Sequence, residues 1–405
     1  MKYALLLFLF LFSLRGFSQT ENYWTKKSDF GGMKRERCVS MSIGNYGYLG
    51  MGIDTNESVK NDWWQYDAIS DTWMQKAGLP ASVRRNAIGF SIGSYGYVGT
   101  GIDSAEAFNG TLLKDFWEYN SVMNTWTAKA DYPGGGGNGV YFATAFALDN
   151  KGFVVCGKIG ADSYIDDVWE YKPLTDSWLQ LADFPGGQRY QLSSFVVGVK
   201  AYVGIGADYN TYLDDIWEYN PGNGMWTRMN DFPGGHRGSA CTFTLGERGF
   251  ICLGTDGGLK SDLWEYNPYT DAWTTRASYG GSARKSAGAF TLYGKAYVGT
   301  GDGYSGKKAS MYEYTPVLIL GTDDHSAADF GVWPNPATDI LIVDDLPSGT
   351  SVSLMNLNGE TLGAYNTANN DRITINCTGL PRGVYMMMMM NETGETVSCK
   401  KIVLQ

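Results

Sequence analysis

Five arginines occupy one position of a repeating pattern: Arg35, Arg84, Arg189, Arg237 and Arg284, with Val140 in the third of six places. Five guanidinium groups around one opening would bind an anion, because each presents a planar fork of donors. The competing reading gives each Arg its own counter-ion. Asp54, Asp103, Asp208 and Asp256 stand two residues past a recurring Gly, with Asp302 one position earlier and Ile159 in the third place. The unit that lacks the Arg therefore also lacks the Asp. Joint loss is what ion pairs within a repeat predict, and a ligand-facing ring predicts nothing about Asp. The expected structural pairs are Arg35 with Asp54, Arg84 with Asp103, Arg189 with Asp208 and Arg237 with Asp256.

Other side chains nearby have no such partner column. Arg85, Tyr141, Tyr190 and Lys285 follow the Arg directly, and Arg37 and Gln191 lie one further. Tyr164, Tyr209, Tyr212, Tyr304 and Phe108 fall in longer loops, and His236 precedes Arg237. Aromatic and planar polar groups suit a sugar or a protein surface. The candidate ligand-binding set is Arg37, Arg85, Tyr190, His236, Lys285, Tyr164, Tyr209, Tyr212 and Tyr304. No catalytic residue is assigned. A nucleophilic mechanism would have to use His236, which has no supporting motif around it. Asp214-Asp215 is acidic, but no spacing makes a closed calcium loop, so neither metal nor cofactor is expected. Asp62, Asp115, Asp167, Asp215 and Asp262 precede a Trp by two residues and are expected to cap turns.

The elements that position these groups are repeats. Trp24, Trp73, Trp126, Trp178, Trp226 and Trp273 are separated by 49, 53, 52, 48 and 47 residues. Nine residues before five of them stands Trp64, Trp117, Trp169, Trp217 or Trp264, opening phrases such as Trp117-Glu118-Tyr119. Upstream, an aromatic and a Gly recur: Tyr48/Gly52, Tyr97/Gly101, Phe153/Gly157, Tyr202/Gly206, Phe250/Gly254 and Tyr297/Gly301. Each unit reads as four short strands, and four-stranded units at this period are propeller blades. The sixth unit has no following Trp, while the chain begins with the lone strand Asn22-Tyr23-Trp24-Thr25. That strand is expected to complete the last blade and remove an exposed edge. The expected fold is all-β: a six-bladed propeller closed by an N-terminal strand, plus a small C-terminal β-sandwich.

The repeats over residues 22–316 resemble the kelch repeat, although the kelch double Gly stands here as Gly-x-Gly or a single Gly. The second-to-third loops are the longer ones and share a face with the inter-blade loops; loops on a rigid scaffold usually carry function, so a site is expected on this face at the channel mouth. Galactose oxidase shares such a propeller, but its copper site needs two His, and this chain has only His236 and the linker residue His325. The kelch-like sialic acid mutarotases use a His-free mechanism built on Arg and Glu, which keeps a sugar epimerase or mutarotase as an alternative.

The two ends read as addresses. Lys2, the apolar run Ala4–Leu14 and Ser18 have the form of a signal peptide over 1–18. Its apolar run is too short for the roughly 20 residues of a membrane span. Its removal takes Lys2 and Arg15 and moves the net charge from −10 to −12. A polar linker over 319–329 leads to a module at 330–405. Pro334-Asn335-Pro336-Ala337-Thr338-Asp339, Leu357-Asn358-Gly359, Leu380-Pro381-Arg382-Gly383-Val384-Tyr385 and Lys401-Ile402-Val403-Leu404-Gln405 resemble the C-terminal sorting domain of the type IX secretion system of Bacteroidota. The resemblance implies passage through the outer membrane, then removal of the module or attachment to the cell surface. Met386–Met390 departs from the family's alternation of apolar and polar residues.

The composition fits this destination. Charged residues are 18% and aromatics 14%, too few and too many for disorder. A charge of −10 without a basic stripe excludes a nucleic-acid partner. Cys38 and Cys156 read as small core residues. Cys241 and Cys252 flank one hairpin and would pair if register allows, as would Cys377 and Cys399. The functional expectation is a secreted or surface-attached, kelch-type binding module for an extracellular glycan or protein. A glycan-active enzyme and a scaffold in a surface complex are the alternatives. The other partner is the type IX machinery, through 330–405, and the mature chain has no membrane span.

Overall fold

The computed structural model describes residues 22–106, 110–316 and 331–404, apart from 345, 347–349, 357–360, 367–371 and 391–395. The expected signal peptide at 1–18, the linker at 319–329, Phe108 and Leu357-Asn358-Gly359 lie outside the described residues.

Every repeat between residues 22 and 316 is built on a four-stranded antiparallel sheet, and the architecture is all-β and propeller-like. In the second repeat Ile88–Ile92, Tyr95–Gly99, Phe116–Asn120 and Thr125–Lys129 lie side by side in chain order. The burial pattern explains the residue types. The first strand alternates, so Val39, Met41 and Ile43 are buried while Ser40 and Ser42 are half-buried. The second strand is enclosed almost continuously, as in Tyr46–Gly50. The fourth, as in Thr72–Lys76, exposes Thr72, Met74 and Gln75 and keeps its Trp half-buried.

Adjacent sheets pack through aromatic rings. Tyr66 and Trp73 of the first repeat meet Phe290 at 5.8 and 6.1 Å between ring centroids, although Phe290 belongs to the sixth. Tyr119 of the second meets Tyr48 of the first at 5.7 Å. The half-buried serines add hydrogen bonds across the same seams: Ser40 and Ser42 Oγ donate to the carbonyls of Ala289 and Thr291 at 3.0 and 2.7 Å.

The N-terminal strand Tyr23–Lys27 pairs antiparallel with Met311–Thr315, with Trp24 opposite Tyr314. It makes the bonds that fourth strands make elsewhere. Trp24 Nε1 donates to the Ala277 carbonyl at 2.9 Å, as Trp126 donates to Ala77 at 2.8 Å and Trp178 to Ala130 at 2.9 Å. Asn22 Oδ1 accepts from the Ala277 N–H and the Tyr314 hydroxyl, matching Asn124 with Ala77 and Tyr119. Asn22, Asp71, Asn124, Asp176 and Asp271 all sit in the left-handed region, and Gly224 holds that place in the fourth repeat. Short Asx side chains and Gly tolerate this conformation best.

The C-terminal module has two sheets. One orders Gly331–Trp333, Ile340–Asp344 and Ile373–Asn376; the other orders Thr361–Asn366, Ser351–Asn356, Gly383–Met390 and Thr396–Leu404. Leu341, Val343 and Ile375 of the first share a core with Val352, Leu354, Met387 and Ile402 of the second. The Met run therefore alternates by burial without alternating by residue type: Met387 and Met389 are buried, and Met386, Met388 and Met390 half-buried. An unbranched thioether fills such a site without a fixed shape.

Because Trp24 makes the same contacts as Trp126, Trp24→Ala should cost as much stability as Trp126→Ala, about 3 kcal/mol each. Denaturant unfolding of both variants checks this. A midpoint unchanged by Trp24→Ala contradicts the role of the terminal strand.

Candidate functional site

The Arg column is buried, each residue being at most 2% exposed. Arg35 Nη1 donates to the Met51 carbonyl at 3.0 Å, and its guanidinium grips both carboxylate oxygens of Asp62 at 2.5 and 2.8 Å. Arg84 holds the Thr100 carbonyl and Asp115, Arg189 the Ile205 carbonyl and Asp215, and Arg237 the Leu253 carbonyl and Asp262. Arg284 holds the Thr300 carbonyl at 2.9 Å, with Ser310 Oγ in place of the carboxylate. The guanidinium carbon lies 4.9 Å from the Phe30 ring centre in Arg35, and similarly over Phe184, Phe232 and Tyr279. Cation–π attraction strengthens such a desolvated contact.

The gripped carbonyls belong to residues that few side chains favour. Met51, Thr100, Ile205, Leu253 and Thr300 are left-handed, and each precedes a recurring Gly that is also left-handed. A Cβ on Gly52, at φ +82°, would come within 2.4 Å of the Glu36 carbonyl oxygen. This double turn aims one carbonyl at the Arg of its own repeat and the Gly N–H at the next repeat. Gly52 donates to the Arg84 carbonyl, Gly101 to Val140, Gly157 to Arg189, Gly206 to Arg237, Gly254 to Arg284 and Gly301 to Arg35, at 2.7 to 3.0 Å.

The expected pairs of Arg35, Arg84, Arg189 and Arg237 with Asp54, Asp103, Asp208 and Asp256 are therefore corrected. The partners are Asp62, Asp115, Asp215 and Asp262, which were expected to cap turns. Arg35 and Asp54 do lie opposite each other in a short ladder, but the Arg side chain turns inward. Asp54 Oδ1 accepts the N–H groups of Asn56 and Ser58 while its Oδ2 meets Lys60 in an ion pair; Asp103 accepts the Thr111 N–H, Asp208 those of Asn210 and Thr211, and Asp256 the Gly258 N–H and the Lys260 ammonium. The third repeat shows how the Arg is replaced. There a turn at Gly135–Gly137 brings the Gly135 N–H to Asp167 Oδ2 at 3.2 Å, beside Val140.

One position is shared by all six repeats. Arg37, Asn86, Phe142, Gln191, Ser239 and Ser286 are left-handed, with φ between +52° and +61°. Each N–H donates to the carbonyl of the one before, from Asn86 onto Arg37 round to Arg37 onto Ser286, at 2.9 to 3.3 Å. These six residues line a common cavity of about 150 Å³, with small apolar residues such as Ala87 and Ala143 beneath. Asn86 Nδ2 and Gln191 Oε1 are buried there without a hydrogen-bond partner. Arg37 lies over Phe142 at 5.5 Å and faces Glu36 Oε2 at 3.4 Å in an ion pair that forms no hydrogen bond.

The candidate residues divide into those close to this cavity and those remote from it. Arg37 lines it. Arg85, buried beside it, donates to the carbonyls of Ser104, Ala105 and Glu106. Burial and the positive charge of Arg37 lower the Arg85 pKa to about 10. Burial raises the pKa of Glu36. Tyr164 and Tyr190 stack at 5.0 Å, and Lys158, which the sequence reading missed, has its ammonium 4.9 Å from one ring and 4.6 Å from the other. Burial lowers the Lys158 pKa. Tyr141 completes this group at 6.0 Å. Lys285 pairs with Asp302 across a short ladder. Tyr212 lies against Gly238. Tyr209 and Tyr304 are exposed, the latter accepting the Leu259 N–H, and His236 is exposed beside Asp214 at 3.2 Å. Of the nine candidate ligand-binding residues, Arg37 alone lines the cavity. Among the described residues no cluster of His, Cys, Asp and Glu could hold a metal ion.

Two comparisons bear on the chain. Residues 331–405 match the secretion system C-terminal sorting domain. The solved structure of YjhT has a similar fold, with a TM-score of 0.58 at 15% identity, over 71% of this chain and 96% of that one. No curated protein matches the sequence. The sorting domain makes this a protein secreted through the type IX system, released or held at the cell surface. Among the described residues no helix is long and apolar enough to cross a membrane.

Two outcomes follow. Asp215→Asn removes the partner of a buried Arg and should cost about 3 kcal/mol, whereas Asp208→Asn should cost less than about 1 kcal/mol. Burial works to raise the Asp215 pKa, but the hydrogen bonds and charge of Arg189 outweigh it and hold the carboxyl below its ordinary value. Its contribution is complete above the unfolded carboxylate pKa of about 4 and is lost as pH falls through the lower folded value. Acid titration of stability should therefore be shallower in Asp215→Asn than in the wild type; equal slopes contradict the pairing. Separately, deletion of 331–405 should leave the protein in the periplasm, and unchanged surface or medium levels contradict export through this module.

Proposed function

We propose that residues 19–318 form a six-bladed kelch-type propeller, closed by the N-terminal strand, that binds a glycan or protein ligand outside the cell at its channel mouth. In this reading 1–18 is the signal peptide, 319–329 the linker and 330–405 the sorting domain. The cyclic hydrogen bonds of the Gly column and of the mouth residues support closure, as does the pairing of Tyr23–Lys27 with Met311–Thr315.

The observation that carries binding is that two residues lining the cavity, Asn86 and Gln191, each hold a buried amide atom, Nδ2 and Oε1, that has no hydrogen-bond partner. An unmade bond at a buried group costs about 1–3 kcal/mol, which a ligand hydroxyl or carbonyl would recover once the amide turns toward it. Arg37 adds charge, and Phe142 with the Tyr164–Tyr190 stack adds flat faces of the kind that pack against sugar rings or apolar side chains. A sugar epimerase or mutarotase remains the second reading, favoured by the buried carboxyl of Glu36 beside Arg37.

A glycan array probed with the mature protein tests binding. A retained glycan should lose about tenfold or more in affinity with Gln191→Ala, about 1.4 kcal/mol, while the melting temperature stays within a degree or so. Undiminished binding contradicts the site. Turnover of a sugar that disappears with Glu36→Gln supports the second reading.

A further inference from the structure

We propose that Cys241 and Cys252 are joined as a disulfide in the exported protein. The two residues face each other in the antiparallel pair of Cys241–Leu245 with Arg248–Cys252, and their sulfurs lie 3.1 Å apart. The register that the sequence left open therefore places both side chains on the same side of one hairpin. Cross-strand neighbours fall within the Cα separation that a disulfide spans.

The pair is specific to the fifth repeat. The equivalent cross-strand partners elsewhere are Val39 with Gly50, Ile88 with Gly99, Thr144 with Val155, Ser193 with Gly204 and Gly288 with Gly299. Fold alone does not call for sulfur at either place. Cys252 also directly precedes Leu253-Gly254, the left-handed pair whose carbonyl Arg237 holds. A covalent link here would fix the base of that turn. Secretion through the type IX system carries the chain out of the reducing cytoplasm to surroundings in which such bonds persist.

The chemistry is thiol–disulfide exchange. One thiolate attacks the disulfide of an exchange protein, giving a mixed disulfide; the second thiolate displaces it. One S–S bond forms between Cys241 and Cys252. The two electrons and two protons leave with the exchange protein, which is reduced to its dithiol. Both sulfurs are buried in the folded sheet, and burial raises the Cys252 thiol pKa well above its ordinary value. Exchange therefore takes place before the hairpin is enclosed, and the finished bond is shielded from external thiols.

Tryptic mapping gives a direct test. Cleavage after Arg237, Arg248 and Lys260 separates the two cysteines onto peptides 238–248 and 249–260. Protein recovered from the cell surface or medium is denatured with an alkylating reagent, without reductant, and digested. The two peptides should travel as one species, lighter by two hydrogens than their sum, and separate on reduction. Recovery of both peptides apart and alkylated overturns the proposal. Cys241→Ser should leave peptide 249–260 alkylated; if that variant does not fold, the wild-type map alone decides.

Discussion

A backbone carbonyl held by a buried guanidinium is the interaction on which the rest of the repeat region depends. The residue before each recurring Gly sits in a conformation that costs an ordinary L-residue on the order of 1 kcal/mol or more. In five repeats the Arg donates to that carbonyl while an Asp or Ser side chain accepts from the same guanidinium. The turn so formed releases the Gly N–H toward the next repeat, where it meets the carbonyl of that repeat's Arg, or of Val140. One residue thus fixes its own turn with its side chain and receives its neighbour with its main chain. A buried Arg is tolerable here because its terminal guanidinium nitrogens find acceptors and its charge is matched in four of the five.

The same constraint shapes the proposed binding site. Two residues beyond the Arg, the chain must turn again, and it does so in the left-handed region six times. The backbone groups of these turns satisfy one another from repeat to repeat, which frees their side chains from structural duty. Arg37, Asn86, Phe142, Gln191, Ser239 and Ser286 therefore differ in chemistry while sharing a backbone. Varied side chains on a fixed frame are the arrangement expected of recognition, since geometry is held by the scaffold. The sorting module supplies the destination at which such recognition would operate.

Much of this was legible in the residues. The aromatic–Gly column marks the second strand and its turn, and the Trp columns mark the third and fourth strands; Trp24 in the same column pointed to the sheet that the N-terminal strand joins. The Arg partners were misread for a physical reason. Joint absence at Val140 and Ile159 looked like a broken pair, yet Asp54-type residues spend their oxygens on their own loops. The true partners stand two residues before the third-strand Trp, Asp62 being 27 residues from Arg35, and Asp167 survives in the third repeat because Gly135 supplies a donor. The mouth column was only partly visible, through Arg37 and Gln191, because its common property is a backbone angle. Asn86, Ser239 and Ser286, short polar residues, are the one trace it leaves in composition. Lys158 left no trace, being particular to one repeat.

Backbone hydrogen exchange resolved at Gly52, Gly101, Gly157, Gly206, Gly254 and Gly301 tests the central claim, that every repeat is fastened to the next without a free end. The account predicts that all six amides exchange slowly and together, through global unfolding. Fast exchange at Gly301, whose bond reaches from the last repeat to Arg35 of the first, while the other five stay protected, would contradict it.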